Sequence, residues 1–243
     1  MGMGAEPDNS WHRSLASALE WWDSAGVDVL VEDEVRDWFA KPAPHRTAPQ
    51  PEPAVAAPLP AAFPQTFQEF VAWRTGDAAP EAGWHRPFVA PAIVPDAVWT
   101  ILIDMPEPED SDTLWGGPAG ALLDRMLAAV GLSRDSVQLV PLCFARPLTG
   151  QMPTNAASTL VELASQFLSF VRPKKLLLLG HAATRAVLGA EAWPPELRLH
   201  DVNRYEANTQ VVATYHPRSL IERPAAKSET WKHLLLLSRG PSL

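Results

Sequence analysis

One cysteine, Cys143, stands among 243 residues. A single thiol excludes an internal disulfide framework and any metal or iron–sulfur site built wholly from cysteine. The seven histidines, at 12, 45, 85, 181, 200, 216 and 233, show no His-x3-His or comparable spacing, so no metal site is expected. No apolar run reaches the length of a membrane span. The N-terminal MGMGAEPDNSWHRS lacks a basic stretch followed by an apolar one, which argues against a secretory signal. A cytoplasmic protein without a bound cofactor is the expectation. Net positive charge is missing too. At −8 the chain is unsuited to coating nucleic acid non-specifically.

What is present is unevenly spread. Residues 1–40 hold nine acids against two bases, Arg13 and Arg36, together with Trp11, Trp21, Trp22 and Trp38. SWHRSLASALEWW (10–22) has Leu15, Leu19 and Trp22 at helical spacing behind a Ser10 N-cap. This reads as an acidic, Trp-rich helical arm that either packs on the rest of the chain or docks a protein partner. Residues 41–64 hold eight prolines among alanines and polar residues, an extended linker with no capacity for a core. Residues 65–243 form the main domain. Its charge is close to neutral, with a basic C-terminal stretch carrying Arg218, Arg223, Lys227, Lys232 and Arg239.

In that domain, apolar runs alternate with helical patterns. VWTILIDM (98–105), SVQLVPLCF (136–144), KKLLLLG (174–180) and VVATYH (211–216) read as strands. GALLDRMLAAVGL (120–132), STLVELASQFLSFV (158–171), HAATRAVLG (181–189) and PAAKSETWKHLLLLS (224–238) read as helices. Strands that are apolar throughout, rather than alternating, imply a parallel sheet covered on both faces. The predicted class is therefore α/β, three layers with a central parallel sheet, plus the small N-terminal helical arm. Ligands of such sheets bind beyond the carboxyl ends of the strands. That directs attention to Asp104–Asp110, Pro141–Pro147, Gly180-His181 and His216–Ser219. The acids at 107, 109, 110 and 112 read as a solvated loop.

Four segments, LWGGPAGALLDRMLAAVGLSRDSV (114–137), ARP (145–147), RPKKLLLLGHAATRAVLG (172–189) and ATYHPRSLIERPAAKSETWKHLLLL (213–237), together resemble the uracil-DNA glycosylase superfamily, nearest its family 4. The resemblance covers roughly 96–238. It implies a protein of DNA repair or replication that takes a base out of the stack and reads its edge. It implies Asp104 and His216 as catalytic residues, His216 donating to the carbonyl oxygen of the departing base. It further implies Trp115 and Pro106 as base-binding residues, and Arg146, Arg218 and Ser219 as DNA-binding ones.

The sequence departs from the family pattern in three places. Ile103-Asp104-Met105-Pro106-Glu107 stands where the family has Gly-Glu-Ala-Pro-Gly, so both glycines are replaced. Pro141 stands where an Asn would read the edge of uracil. Ala145 and Ala164 stand where cysteines would hold an iron–sulfur cluster, so no cluster is expected. Two outcomes are expected from these changes: a protein with reduced or lost chemistry that binds DNA or a partner, or an active glycosylase of altered base specificity. A thinner likeness, LLDRMLAAVGLSRDSVQL to the psi subunit of the bacterial clamp loader, implies an accessory role tethered through residues 1–40.

Overall fold

The computed structural model describes residues 64–84, 87–205 and 208–239, together with Leu15, Ser17, Glu20 and Trp21. The chain divides into two compact units, 1–50 and 51–243. In the first, the four described residues are helical, with Leu15 and Trp21 exposed. The other tryptophans of the arm and nearly all of the 41–64 linker lie outside the described residues.

The second unit is built on five strands: β1 (Trp99–Ile103), β2 (Val137–Pro141), β3 (Lys175–Leu179), β4 (His200–Asn203) and β5 (Asn208–Thr214). Their order across the sheet is β2-β1-β3-β5-β4. The four apolar strands are parallel, with Ile101 opposite both Leu139 and Leu177, and Leu177 opposite Val212. β4 was not anticipated, and it is antiparallel to β5. Its sequence, HDVN, is short and polar, and its burial alternates as suits an edge strand with one wet face. Tertiary pairing, not local pattern, makes it a strand.

Continuous apolar strands have a direct explanation here. Successive side chains point to opposite faces of a strand. Leu102, Leu176, Leu178, Val211 and Ala213 enter one core, while Ile101, Ile103, Leu177, Leu179 and Val212 enter the other. The first core is closed by α1 (Phe67–Arg74), α3 (Ala157–Val171) and α4 (Gly180–Leu188), through Phe70, Phe167 and Ala183. The second is closed by α2 (Pro118–Ala129), α5 (Pro217–Glu222) and α6 (Lys227–Arg239), through Leu123, Leu220 and Leu234. Three layers result, as the sequence predicts. The final helix differs from its prediction: α5 starts at Pro217, and a 3-10 turn at Pro224–Ala226 separates it from α6. Proline is suited to both starts, because it cannot donate into a preceding turn.

Edge strand β2 is shielded by the irregular segment before β1. The Gln138 side chain donates to the Ala92 carbonyl at 2.9 Å and accepts from the Val94 amide at 2.7 Å. Next to the end of β2 lies a buried ion pair, Arg74 with Glu81, both wholly excluded from solvent. Arg74 Nη2 also donates to the Leu142 carbonyl at 3.0 Å, and Glu81 Oε1 accepts the Phe144 amide at 3.0 Å. The guanidinium lies 4.1 Å from the centre of the Phe144 ring. Cys143, between these anchors, is buried, and burial pushes its thiol well above the ordinary range, which keeps it protonated and unreactive.

His233 of α6 is fully buried against Thr214, with Nδ1 3.0 Å from the hydroxyl. Desolvation by burial lowers its pKa from 6.5, with Lys232 acting in the same direction and Glu229 opposing. The unfolded chain therefore binds the proton more readily than the folded one. Stability at this residue is expected to fall as pH drops through 6.5, and to level off only below the folded value. Urea unfolding at pH 7.5 and 5.5 checks this: His233→Gln should reduce the difference in midpoint, and an unchanged difference would refute the assignment.

Candidate active site at the carboxyl rim of the sheet

Asp104 leaves β1 and His216 leaves β5, and β3 lies between those strands. Neighbouring strands are roughly 4.8 Å apart, so the two side chains must lean across the end of β3 to meet. They do so over Gly180, the first residue after β3. Its φ is +85°, and a Cβ added there would stand 3.0 Å from His216 Cβ and 3.4 Å from Cδ2. Only glycine tolerates both the left-handed backbone and the imbalance of space. Gly180→Ala is expected to cost about 1–2 kcal/mol and to push the imidazole off Asp104. Urea unfolding gives the first number, and a crystal structure gives the second. An unmoved ring would refute the argument.

His216 is 7% exposed and caps α5. Its Nδ1 accepts the Arg218 amide N–H at 3.1 Å, which assigns the proton of the neutral ring to Nε2. Nε2 lies 3.3 Å from Asp104 Oδ1. Beyond this contact, Nε2 has no hydrogen-bond partner among the described residues. The ring meets Trp115 edge to face, centroids 4.7 Å apart.

Asp104 Oδ1 accepts the Met105 amide at 2.7 Å and Arg218 Nη2 at 2.7 Å. Burial works to raise the pKa of this carboxyl, but His216, Arg218 and the Met105 amide outweigh it and hold it below 3.8. Asp104 is therefore a carboxylate at neutral pH. Arg218 continues through Nε to Glu107 Oε1 at 2.8 Å, so one guanidinium bridges two acids. Ser219, next in the chain, is exposed.

The acidic loop is not the solvated segment the sequence suggests. Glu107 and Asp110 are buried, while Glu109 and Asp112 are exposed. Glu107 turns inward because Arg218 neutralises it. Asp110 turns inward because it accepts three backbone amides: Glu107 at 2.8 Å, Trp115 at 2.7 Å and Gly116 at 2.8 Å. Trp115 has φ of 59°, rare for a bulky residue, and is 1% exposed. Three contacts hold it there: Asp110 on its amide, Arg134 Nη2 on its carbonyl at 2.7 Å, and its own indole N–H donating to the Met105 carbonyl at 3.1 Å. Its ring face is packed rather than open.

Pro106 is buried and its carbonyl accepts Arg146 Nη1 at 2.8 Å. These two residues, with Glu107, Asp110, Pro147 and Leu148, line a cavity of ≈ 380 Å³. The cavity adjoins the Asp104–His216 pair without including it; Glu107, through Arg218, connects the two.

The structure thus brings Asp104, His216, Trp115 and Arg218 into one network, and Pro106 and Arg146 into a second place beside it. Asp110, Arg134, Glu107 and Gly180 position these groups; the sequence places Glu107, Asp110 and Gly180 at the rim without giving them this role, and does not mark Arg134. Arg134, Glu107 and Gly180 act on partners far along the chain, whereas Asp110 acts on amides of its own loop and is hidden by the acids around it. Among the described residues, no group of His, Cys, Asp or Glu could hold a metal ion. Ala145 and Ala164 are buried in the core and offer no ligand atom, so the residues do not fit an iron–sulfur cluster. The backbone just before Ala145 is instead tied down by Arg74 and Glu81. No helix among the described residues is long and apolar enough to cross a membrane.

A type-4 uracil-DNA glycosylase of Archaeoglobus fulgidus is 28% identical over 123 residues, which is 46% of this chain and 60% of that protein. The chain therefore spans about 60% of the length of this relative. The family model of the uracil DNA glycosylase superfamily matches residues 85–235, from before β1 into α6, and so includes every residue of the rim site. On that match, the chain belongs to the uracil DNA glycosylase superfamily.

Proposed function

We propose that this protein is a DNA glycosylase of altered base specificity, which cleaves the N-glycosidic bond of an extruded base. One observation carries the reading: a buried His216 whose Nε2 lies 3.3 Å from a carboxylate that stays ionised. In the reaction, the bond from C1′ to the base nitrogen breaks and its electron pair leaves with the base. His216 Nε2–H donates to a carbonyl oxygen of the base as negative charge develops there. The Asp104 carboxylate faces the cationic sugar. Water then adds its oxygen to C1′, and its proton ends on the released base. Arg218 and Glu107 hold Asp104 in place. Pro141 has no side-chain donor or acceptor to read uracil, so selection differs from that of the relative. Trp115 must yield its packed position if it is to stack on the base, and Pro106 and Arg146 contribute from the adjoining cavity.

A second reading, DNA binding without chemistry, is favoured by the Arg218 bridge, which occupies Asp104 Oδ1. One assay separates the two. Oligonucleotides carrying uracil, hypoxanthine or xanthine, single- and double-stranded, are expected to release base. His216→Ala should lower the rate by about 10²-fold or more. Release from none of them would remove the glycosylase reading and leave the second. Because Asp104 is held below 3.8, the acid limb of the rate should lie below that pH as far as the carboxylate sets it.

A further inference from the structure

Two rings next to Gly180 and His216 in the chain meet a third. Gly180 is followed by His181, and His216 is preceded by Tyr215, so both rings start from the residues that build the pair. Trp193, from the segment between α4 and β4, touches both. Its ring centroid is 5.7 Å from that of His181 and 5.7 Å from that of Tyr215, at interplanar angles of 62° and 76°. His181 is exposed, and Trp193 and Tyr215 are half-buried. In these edge-to-face contacts no two of the rings are stacked face to face. The Tyr215 hydroxyl donates to Glu229 at 3.2 Å, which fixes that ring. The cluster lies outside the contacts that position Asp104, and the proposed reaction does not use it. Cations accompany it along the chain: Arg185 is one turn after His181 on α4, and Arg198 follows Trp193 on the same segment, both exposed.

We propose that His181, Trp193 and Tyr215 form a stacking ledge for unpaired nucleobases of a single DNA strand, beside the Asp104–His216 pair. Every base has a π-face, so such a ledge holds bases without reading their sequence, and nearby cations follow the phosphates. In a duplex those faces are hidden between neighbours. The ligand is therefore a strand already unpaired, or the nucleotides opened around an extruded base. The inference rests on the reading that this rim handles DNA, but not on the chemistry of Asp104 and His216.

The test uses the full chain and a 5′-labelled single-stranded 12-nucleotide DNA, followed by fluorescence anisotropy at low salt. Trp193→Ala is expected to weaken binding about tenfold or more, His181→Ala severalfold, and Trp193→Phe little. Binding by Trp193→Ala within twofold of the parent would overturn the ledge, as would a parent that binds no single strand. A second measurement needs no variant and so does not depend on one folding. Photocrosslinking of the parent to the same DNA carrying 5-bromodeoxyuridine should place adducts on Trp193, Tyr215 or His181; adducts confined to other peptides would overturn the proposal. Base release and strand binding fail separately. An inactive protein that still binds through Trp193 sinks only the glycosylase reading, and an active one indifferent to Trp193 sinks only the ledge.

Discussion

Arg74→Ala is expected to destabilise the protein by about 3–5 kcal/mol, the largest loss for any single side chain outside the apolar core. Glu81 would remain buried with its charge and without its counter-ion, and the Leu142 carbonyl would lose its donor. The Phe144 ring would also lose the cation over its face. The pair is not ideal even when intact: Arg74 Nε and Nη1 and Glu81 Oε2 are buried without hydrogen-bond partners. Replacing both residues with apolar ones, Arg74→Met with Glu81→Leu, should therefore recover most of the loss. The Leu142 carbonyl and Phe144 amide would still lack partners, so recovery should fall short of complete. Thermal unfolding of the single and double variants decides the matter. For a domain of this size the single change should lower Tm by roughly 10 °C. A shift of under 3 °C, or a double variant worse than the single, would contradict this account.

Asp110→Ala should do less to the whole fold and more to the site. It removes the acceptor of three amides in a buried loop, at a cost of about 3 kcal/mol if half of the charge-assisted bonds are replaced by water. The amide of Trp115 is one of the three, and Trp115 sits in a left-handed conformation that needs external support. Without Asp110 the loop should relax, the indole should leave the His216 ring, and Glu107 should lose its place opposite Arg218. Base release, where present, should fall to the level of His216→Ala although neither catalytic residue has changed. Asp110→Asn keeps an acceptor oxygen without the charge and should retain part of the stability. If Asp110→Ala leaves both the unfolding midpoint and the rate as in the parent, the loop is held by something else.

These two expectations concern residues of opposite legibility. Asp110 lies in a run of acids, and acids in a run normally face water. Nothing in the sequence separates Asp110 and Glu107, which turn inward, from Glu109 and Asp112, which do not. The difference depends on which acid meets a set of free amides or the guanidinium of Arg218, more than a hundred residues later. Arg74 and Glu81 carry no local signal either, since a charge at the end of a helix and another in the turns after it would ordinarily be solvated. By contrast, His216 was legible, because a strand that ends in Tyr-His-Pro after an apolar run places its last side chain at the rim of a parallel sheet.

The layers were written in the amino-acid pattern. Strands apolar on every residue can satisfy both faces only inside a covered parallel sheet, and helical spacing supplied the covers. It also determined that Asp104 and His216 reach the same rim, because parallel strands all end on one side. That they touch follows from the packed fold alone. β1 and β5 are not neighbours, and the contact depends on the strand order, on the missing Cβ of Gly180 between them, and on an arginine that no spacing links to either acid it bridges. Strand order and long-range ion pairs are set by how the whole chain packs, and a local pattern does not contain them.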